Sequence, residues 1–162
     1  MKHEDVKHED VKHEDHGGGG LAFREWVGAV PAEMREDSLW RVEAYRLALY
    51  LGDLGWRDAN VLLRDRRMAD VADQLRRATS RISCSVAEGY TRDTGKARAT
   101  YYEYAAGSAR ESRDWYYKAR HGLVAAEVEH RLTLCTQVIR LTLTMIANER
   151  RHNRRVSDSG DR

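Results

Sequence analysis

Met68, Val71, Leu75, Ala78, Ile82 and Val86 follow one another at steps of three and four residues, and the same spacing recurs in three other stretches of the chain. Such steps keep side chains on one stripe of an α-helix, whereas a half-buried strand needs a period of two. The first stretch starts after Ser38, a good N-cap, with Trp40, Ala44, Leu47, Leu51 and Leu54 on its stripe. Gly52 and Gly55 are expected to end it. The second runs from about Arg64 to Tyr90, with Gly89 as its stop. The third begins at Thr94 and ends near Gly122. One of its seams is Tyr101, Ala105, Ser108, Ser112, Trp115 and Ala119, and a neighbouring one is Tyr102, Ala106, Ala109 and Tyr116. The fourth spans Ala125 to Asn153, with Val128, Leu132, Cys135, Ile139 and Ile146 on one seam. Leu134, Val138, Leu141 and Met145 supply its second. The expected fold is therefore all-α, an antiparallel up-down four-helix bundle over residues 38–153. One buried stripe per helix suffices for such a bundle, so the surplus seams predict a further contact surface, most simply between copies of the chain.

The ends read differently. "KHEDVKHEDVKHEDH" is a five-residue unit written three times, followed by Gly17 to Gly20. Five residues advance a helix by about 500°, so His3, His8 and His13 would not share a face, and no metal site is expected. Residues 1–20 are expected to form a disordered tail and glycine linker, 21–37 a connecting segment, and 154–162 a second disordered tail. Residues 1–16 hold three lysines against six carboxylates, so the rest of the chain is more basic than its overall +2 indicates. That balance is compatible with a polyanionic partner without requiring one.

No run approaches ~18 consecutive apolar residues, so no membrane span is expected. The start has no apolar signal core, which predicts a cytoplasmic protein. Cys84 and Cys135 each sit in an apolar periodic run and read as small buried hydrophobes. No cofactor is expected.

Gln74 to Tyr90, "QLRRATSRISCSVAEGY", is the densest stretch. It has three readings: a catalytic strip, an RNA-facing strip, or a slim edge that lets helices lie close together. Ala78, Thr79, Ser80, Ser83, Ser85, Ala87 and Gly89 are small, and their hydroxyls can bond back to a carbonyl one turn earlier. Asp73, Arg77 and Arg81 form a four-residue ladder. No nucleophile here has a base within one turn on its own face, so an enzyme is not expected. The close-packing reading is favoured, and the RNA reading stands beside it.

Gln74-Leu75-Arg76-Arg77-Ala78, then Ile82 and Val86-Ala87-Glu88-Gly89 with Arg92 following, makes one block. Tyr104-Ala105-Ala106-Gly107-Ser108-Ala109-Arg110-Glu111 makes a second. In these paired blocks the chain, from roughly Leu39 to Asn153, resembles the four-helix bundle family of the 23S rRNA intervening-sequence proteins. It departs from the family pattern at Arg81, Ser83 and Ser85, where Ser, Pro and Asn are usual. The resemblance implies ring-like homo-oligomers, often homopentamers, and no established catalysis. It also implies an RNA setting, since members are encoded within ribosomal RNA genes or act as accessory proteins of diversity-generating retroelement reverse transcriptases. Gln74, Arg76, Arg77, Arg81, Glu88, Gly89, Gly107, Ser108 and Glu111 are then structural or oligomer residues. Gly107 in mid-helix costs about 1 kcal/mol relative to Ala, which predicts a helix crossing there. Glu88 and Glu111 are expected to take Arg76 and Arg77 as counter-ions, setting register.

Arginine decides the functional expectation. In an antiparallel bundle Arg92, Lys96, Arg98, Arg150, Arg151, Arg154 and Arg155 would meet at one pole, where planar guanidinium forks suit phosphate. Tyr90 or Trp115–Tyr117 would supply stacking surfaces. The chain reads as a non-catalytic oligomeric module that binds RNA or DNA through this pole. The alternative is a protein-only adaptor, for example one accessory to a reverse transcriptase. Each feature also has a structural explanation, because basic residues at a helix C-terminus complement its dipole and aromatics at helical spacing are core residues more often than base platforms.

Overall fold

The computed structural model describes residues 22–160, and side chains as far as Asn153. Among the described residues every regular element is helical: α1 (Phe23–Ala29), α2 (Ala32–Arg35), α3 (Glu43–Leu62), α4 (Ala69–Tyr90), α5 (Gly95–Ala119) and α6 (Ala125–Gly160). Short 3-10 turns at Ser38–Arg41 and Arg66–Met68 precede α3 and α4. The repeat and glycine linker at 1–20 lie outside the described residues. Among those residues no helix is long and apolar enough to cross a membrane.

The helix starts differ from expectation in detail. Ser38 does not cap α3. Asp37 accepts from the Leu39 amide at 2.8 Å and caps the 3-10 turn, and α3 begins at Glu43 without a side-chain cap. Asp65 does the same before α4, accepting from the Arg67 amide at 2.9 Å, so Arg64 stands in the preceding turn. Thr94 does cap α5, its hydroxyl accepting from the Ala97 amide at 3.2 Å. Helix α6 continues to Gly160, past the expected stop at Asn153. Residues 154–160, expected to be a disordered tail, thus lie on a helical backbone.

Neither Gly52 nor Gly55 ends α3. A Cβ on Gly55 would sit 2.4 Å from Thr79 Oγ1 and 3.0 Å from Thr79 Cβ. Close approach to α4 therefore demands glycine here, and packing offsets the propensity cost. Gly89 behaves likewise inside α4, where a Cβ would meet the Tyr102 ring of α5 at 2.6 Å. The small edge expected in Gln74–Gly89 is present. Thr79 Oγ1 donates to the Leu75 carbonyl at 2.9 Å and Ser80 Oγ to the Arg76 carbonyl at 2.7 Å.

The long helices pack in succession, α3 on α4, α4 on α5 and α5 on α6, with α3 also touching α6. Leu47, Leu51 and Leu54 of α3, Leu75, Ile82 and Val86 of α4, Ala105, Ala109 and Tyr116 of α5, and Leu134, Cys135 and Val138 of α6 are all buried. The expected stripes thus form the core. Cys84 is the exception, being exposed, because its position turns one step away from the Ile82–Val86 stripe.

The connecting segment proves to be structured. Trp26 of α1 is buried, stacked with Phe23 and Trp40 and tilted against Tyr50 of α3, with ring centroids 5.3–6.2 Å apart. Its indole Nε1 donates to Asp53 at 2.7 Å. This aromatic cluster fastens α1 across α3, and its residues are too scattered in sequence for periodicity to show it.

Candidate nucleic-acid interface

Five of the seven residues expected at a basic pole have described side chains, and they stand on neighbouring elements. The Gly95 backbone at the start of α5 lies so close to α6 that a Cβ would come within 2.7 Å of Asn153 Oδ1. Gly89 near the end of α4 packs on Tyr102. Arg92, Lys96, Arg98, Arg150 and Arg151 are thereby gathered where the end of α4, the start of α5 and the late part of α6 meet. The side chains of Arg154 and Arg155 lie outside those described.

The pole is less free in charge than composition implies. Arg98 Nη2 stands 2.9 Å from Glu149 Oε2, and Arg98 Nη1 donates to the Arg92 carbonyl at 2.9 Å. The hydrogen bond to Glu149 holds the Arg98 guanidinium above its ordinary range. Arg150 pairs with Glu103 of α5. Arg92 lies 4.4 Å from the Tyr101 ring centroid and donates to its hydroxyl at 2.6 Å, and Arg151 donates to Asn148 Oδ1 at 2.5 Å. Lys96 is exposed. Two carboxylates are thus committed to ordering the pole, while Lys96, Arg92 and Arg151 keep charge turned to solvent or to neutral partners.

The stacking expectation needs correction. Trp115 and Tyr117 lie at the far end of α5, roughly 28 Å from Lys96 at 1.5 Å per residue, so they cannot serve this pole. Tyr90 does lie there and is exposed.

The register residues also differ from expectation. Arg76 and Arg77 both pair with Asp73 on their own helix, at 2.9 and 2.7 Å, and not with Glu88 or Glu111. Intrahelical partners three and four residues away are nearer than any carboxylate on α5. The hydrogen bond from Arg76, aided by the charge of Arg77, holds the Asp73 carboxyl below the usual carboxylate range. Glu111 instead faces Arg81 at 4.0 Å, and Glu88 is exposed. Gln74 and Ser108 are half-buried, the Ser108 carbonyl accepting from Ser112 Oγ at 2.8 Å. Gly107 is exposed, with nothing within 4 Å of where a Cβ would stand, so among the described residues no helix crosses it.

Sequence reasoning missed the buried charges at the opposite end. Asp58 of α3 and Arg131 of α6, 1% and 2% exposed, are joined by a bond from Arg131 Nε to Asp58 Oδ2 at 2.9 Å. The Tyr116 hydroxyl donates to the same oxygen at 3.1 Å, and Arg57 Nη2 lies 3.3 Å from Asp58 Oδ1 and 3.4 Å from Glu127. Burial pushes the Tyr116 phenol well up, and the Asp58 charge adds to the rise, so the phenol remains a donor. Burial works against the Arg131 charge, but the bond and the charge of Asp58 outweigh it. One signal was available: Asp58 continues the Leu47–Leu51–Leu54 stripe by a step of four, and Arg131 sits between Val128 and Cys135. A charged residue in core register requires a buried counter-ion.

Comparison with known proteins places the chain beside one family. Residues 56–144 match the family model described as 23S rRNA-intervening sequence protein. No curated protein matches the chain. Its helical fold is similar to the crystal structure of a protein of unknown function from the S23 ribosomal protein family of Bacteroides thetaiotaomicron VPI-5482. That likeness has a TM-score of 0.60 at 13% identity, covering 64% of this chain and 97% of the other.

Proposed function

The chain belongs to the 23S rRNA-intervening sequence protein family, and on that footing we propose that it is a non-catalytic, oligomeric module that associates with RNA. In this reading α3 to α6 make an antiparallel up-down four-helix bundle, and several bundles close into a ring. The contacts of Gly55 with Thr79, of Gly89 with Tyr102 and of Arg98 with Glu149 support the alternation of helix direction. The open surface at Gly107, beside a Tyr104 that is 58% exposed, supports a contact between copies. The observation that carries the RNA reading is the convergence of Arg92, Lys96, Arg98, Arg150 and Arg151 at one pole. A ring would repeat that patch around a rim.

The test is RNA affinity as a function of salt. Binding is expected to weaken steeply with added salt, and R92A/K96A and R150A/R151A are expected to reduce both affinity and the salt slope. No RNA binding by the full chain at low salt would overturn the reading. For the ring, light scattering on Gly107→Leu is expected to show smaller particles than wild type, and a wild-type chain that runs as a single copy would remove it.

A second reading, a protein-only adaptor such as a reverse transcriptase accessory, is favoured by two observations. Arg98 and Arg150 already hold carboxylate partners. Trp56 and Leu63 of the α3 region, on one helical stripe, are 59% and 56% exposed, and tryptophan is among the residue types that anchor protein contacts. Pull-downs with and without nuclease separate the two: partner retention indifferent to nuclease supports the adaptor.

A further inference from the structure

Helix α5 changes character along its length. Its C-terminal half presents Arg110, Arg113, Asp114 and Tyr117 at steps that place them on one face. Together with Leu132 of α6 they line a shallow, open groove of about 340 Å³.

The charges around this groove do not cancel. Asp114, its only lining carboxylate, already accepts from Lys118 Nζ at 2.6 Å. Arg110 and Arg113 are exposed, and among the described residues neither has a carboxylate partner. The Arg113 charge is felt on α6: burial pushes the Cys135 thiol up to about 12, and Arg113 works against that rise.

The aromatic member is held in place. Arg120 donates from Nη1 to the Tyr117 carbonyl at 2.7 Å, and its guanidinium lies 4.0 Å from the Tyr117 ring centroid. Tyr117 is nonetheless 55% exposed, so ring surface remains for a second planar group. A simple anion would match the two arginines and leave the ring unused, and an apolar ligand would leave two cations unmatched. A ligand with a phosphate and a flat heterocycle satisfies both, since guanidinium forks take phosphate and phenol rings take bases.

We propose that this α5–α6 groove binds a nucleotide unit, its phosphate on Arg110 and Arg113 and its base on Tyr117 beside Leu132. The site stands apart from the basic pole, with Arg113 roughly 22 Å along α5 from Arg98 at 1.5 Å per residue. The nucleotide comes either free or as part of a single strand.

The experiment measures binding of adenosine monophosphate by calorimetry and of a short fluorescein-labelled oligoadenylate by anisotropy, both to the full chain at about 50 mM salt. R110A/R113A is expected to weaken binding at least about tenfold and, for the strand, to lower the logarithmic salt slope by about 1.4 for two lost phosphate contacts. Tyr117→Ala is expected to weaken it about fivefold or more with the slope unchanged. R110K/R113K keeps the charge without the fork and is expected to fall between. Loss of monophosphate binding in these variants identifies a free nucleotide, and loss of oligoadenylate binding alone identifies a strand. The proposal fails if the wild type binds neither probe, or if helical, folded groove variants bind like wild type. It also fails if only R92A/K96A lowers oligoadenylate affinity, an outcome that leaves the basic-pole reading standing.

Discussion

Replacing Asp58 by leucine would strand a cation in the core. Arg131 is 2% exposed and takes its charge compensation from Asp58 through Nε at 2.9 Å and Nη2 at 3.4 Å. Its other hydrogen bond, between Nη1 and His130 Nδ1 at 2.6 Å, brings no carboxylate, and Glu127 adds only its charge from further off. Removing one member of a buried pair costs about 3–5 kcal/mol. For a domain of this size that corresponds to a fall in Tm of roughly 10–20 °C. Arg131→Met is expected to cost a similar amount, because it leaves Asp58 facing only the Tyr116 hydroxyl and the partly exposed Arg57. The double variant is the informative one. With both charges gone, the main orphan is the Tyr116 hydroxyl, at about 1–3 kcal/mol, so the pair together should cost no more than either single change. Urea unfolding followed by circular dichroism at neutral pH reads all three. A loss under about 1 kcal/mol for Asp58→Leu, or a double variant that loses the sum of the singles, would refute the claim that these charges depend on each other.

Three further outcomes follow from the packing and the charges. Gly55→Ala should destabilise by about 1–3 kcal/mol because its methyl meets Thr79, whereas Gly52→Ala, with open space, should stabilise by up to about 1 kcal/mol; urea midpoints compare them. Asp73→Asn should lower the midpoint at neutral pH, and the gap to wild type should close in acid. The sign follows from a folded pKa held below the unfolded one: the contribution is present above the unfolded value near 3.9 and is lost as pH falls through the folded value. Thiol titration of the native chain should detect the exposed Cys84 quickly and the buried Cys135 only after denaturation; equal native rates would contradict the burial described.

Much of the helical plan was legible because it depends on near neighbours. Met68 through Val86 lie three and four apart, and their stripe is buried nearly throughout. Thr94 caps its helix because cap, amide and helix start fall within a few residues of sequence. The differences from expectation have more than one cause. Gly52 and Gly55 read as stops because glycine is costly in a helix, but the contact that decides Gly55, with Thr79, is on another element. The Asp73–Arg77 pair of the expected ladder forms, whereas Arg76 and Arg77 do not also serve Glu88 and Glu111 as expected. The basic pole was legible once helix direction was assumed, whereas the carboxylates that occupy Arg98 and Arg150 were not, since Glu149 and Glu103 meet them only after α5 and α6 align. The groove at Arg110, Arg113 and Tyr117 was invisible as a site because Leu132 reaches it from a different helix.

By itself the sequence determined that the chain would be helical and which stripe of each long helix would be buried, because apolar side chains at helical period have one way to leave water together. Tertiary structure alone decided which charges would be neutralised inside, as at Asp58 and Arg131, and which would remain turned outward, as at Arg110 and Arg113. A charge's partner is set by distance in space, and distance in space between helices is written nowhere along the chain.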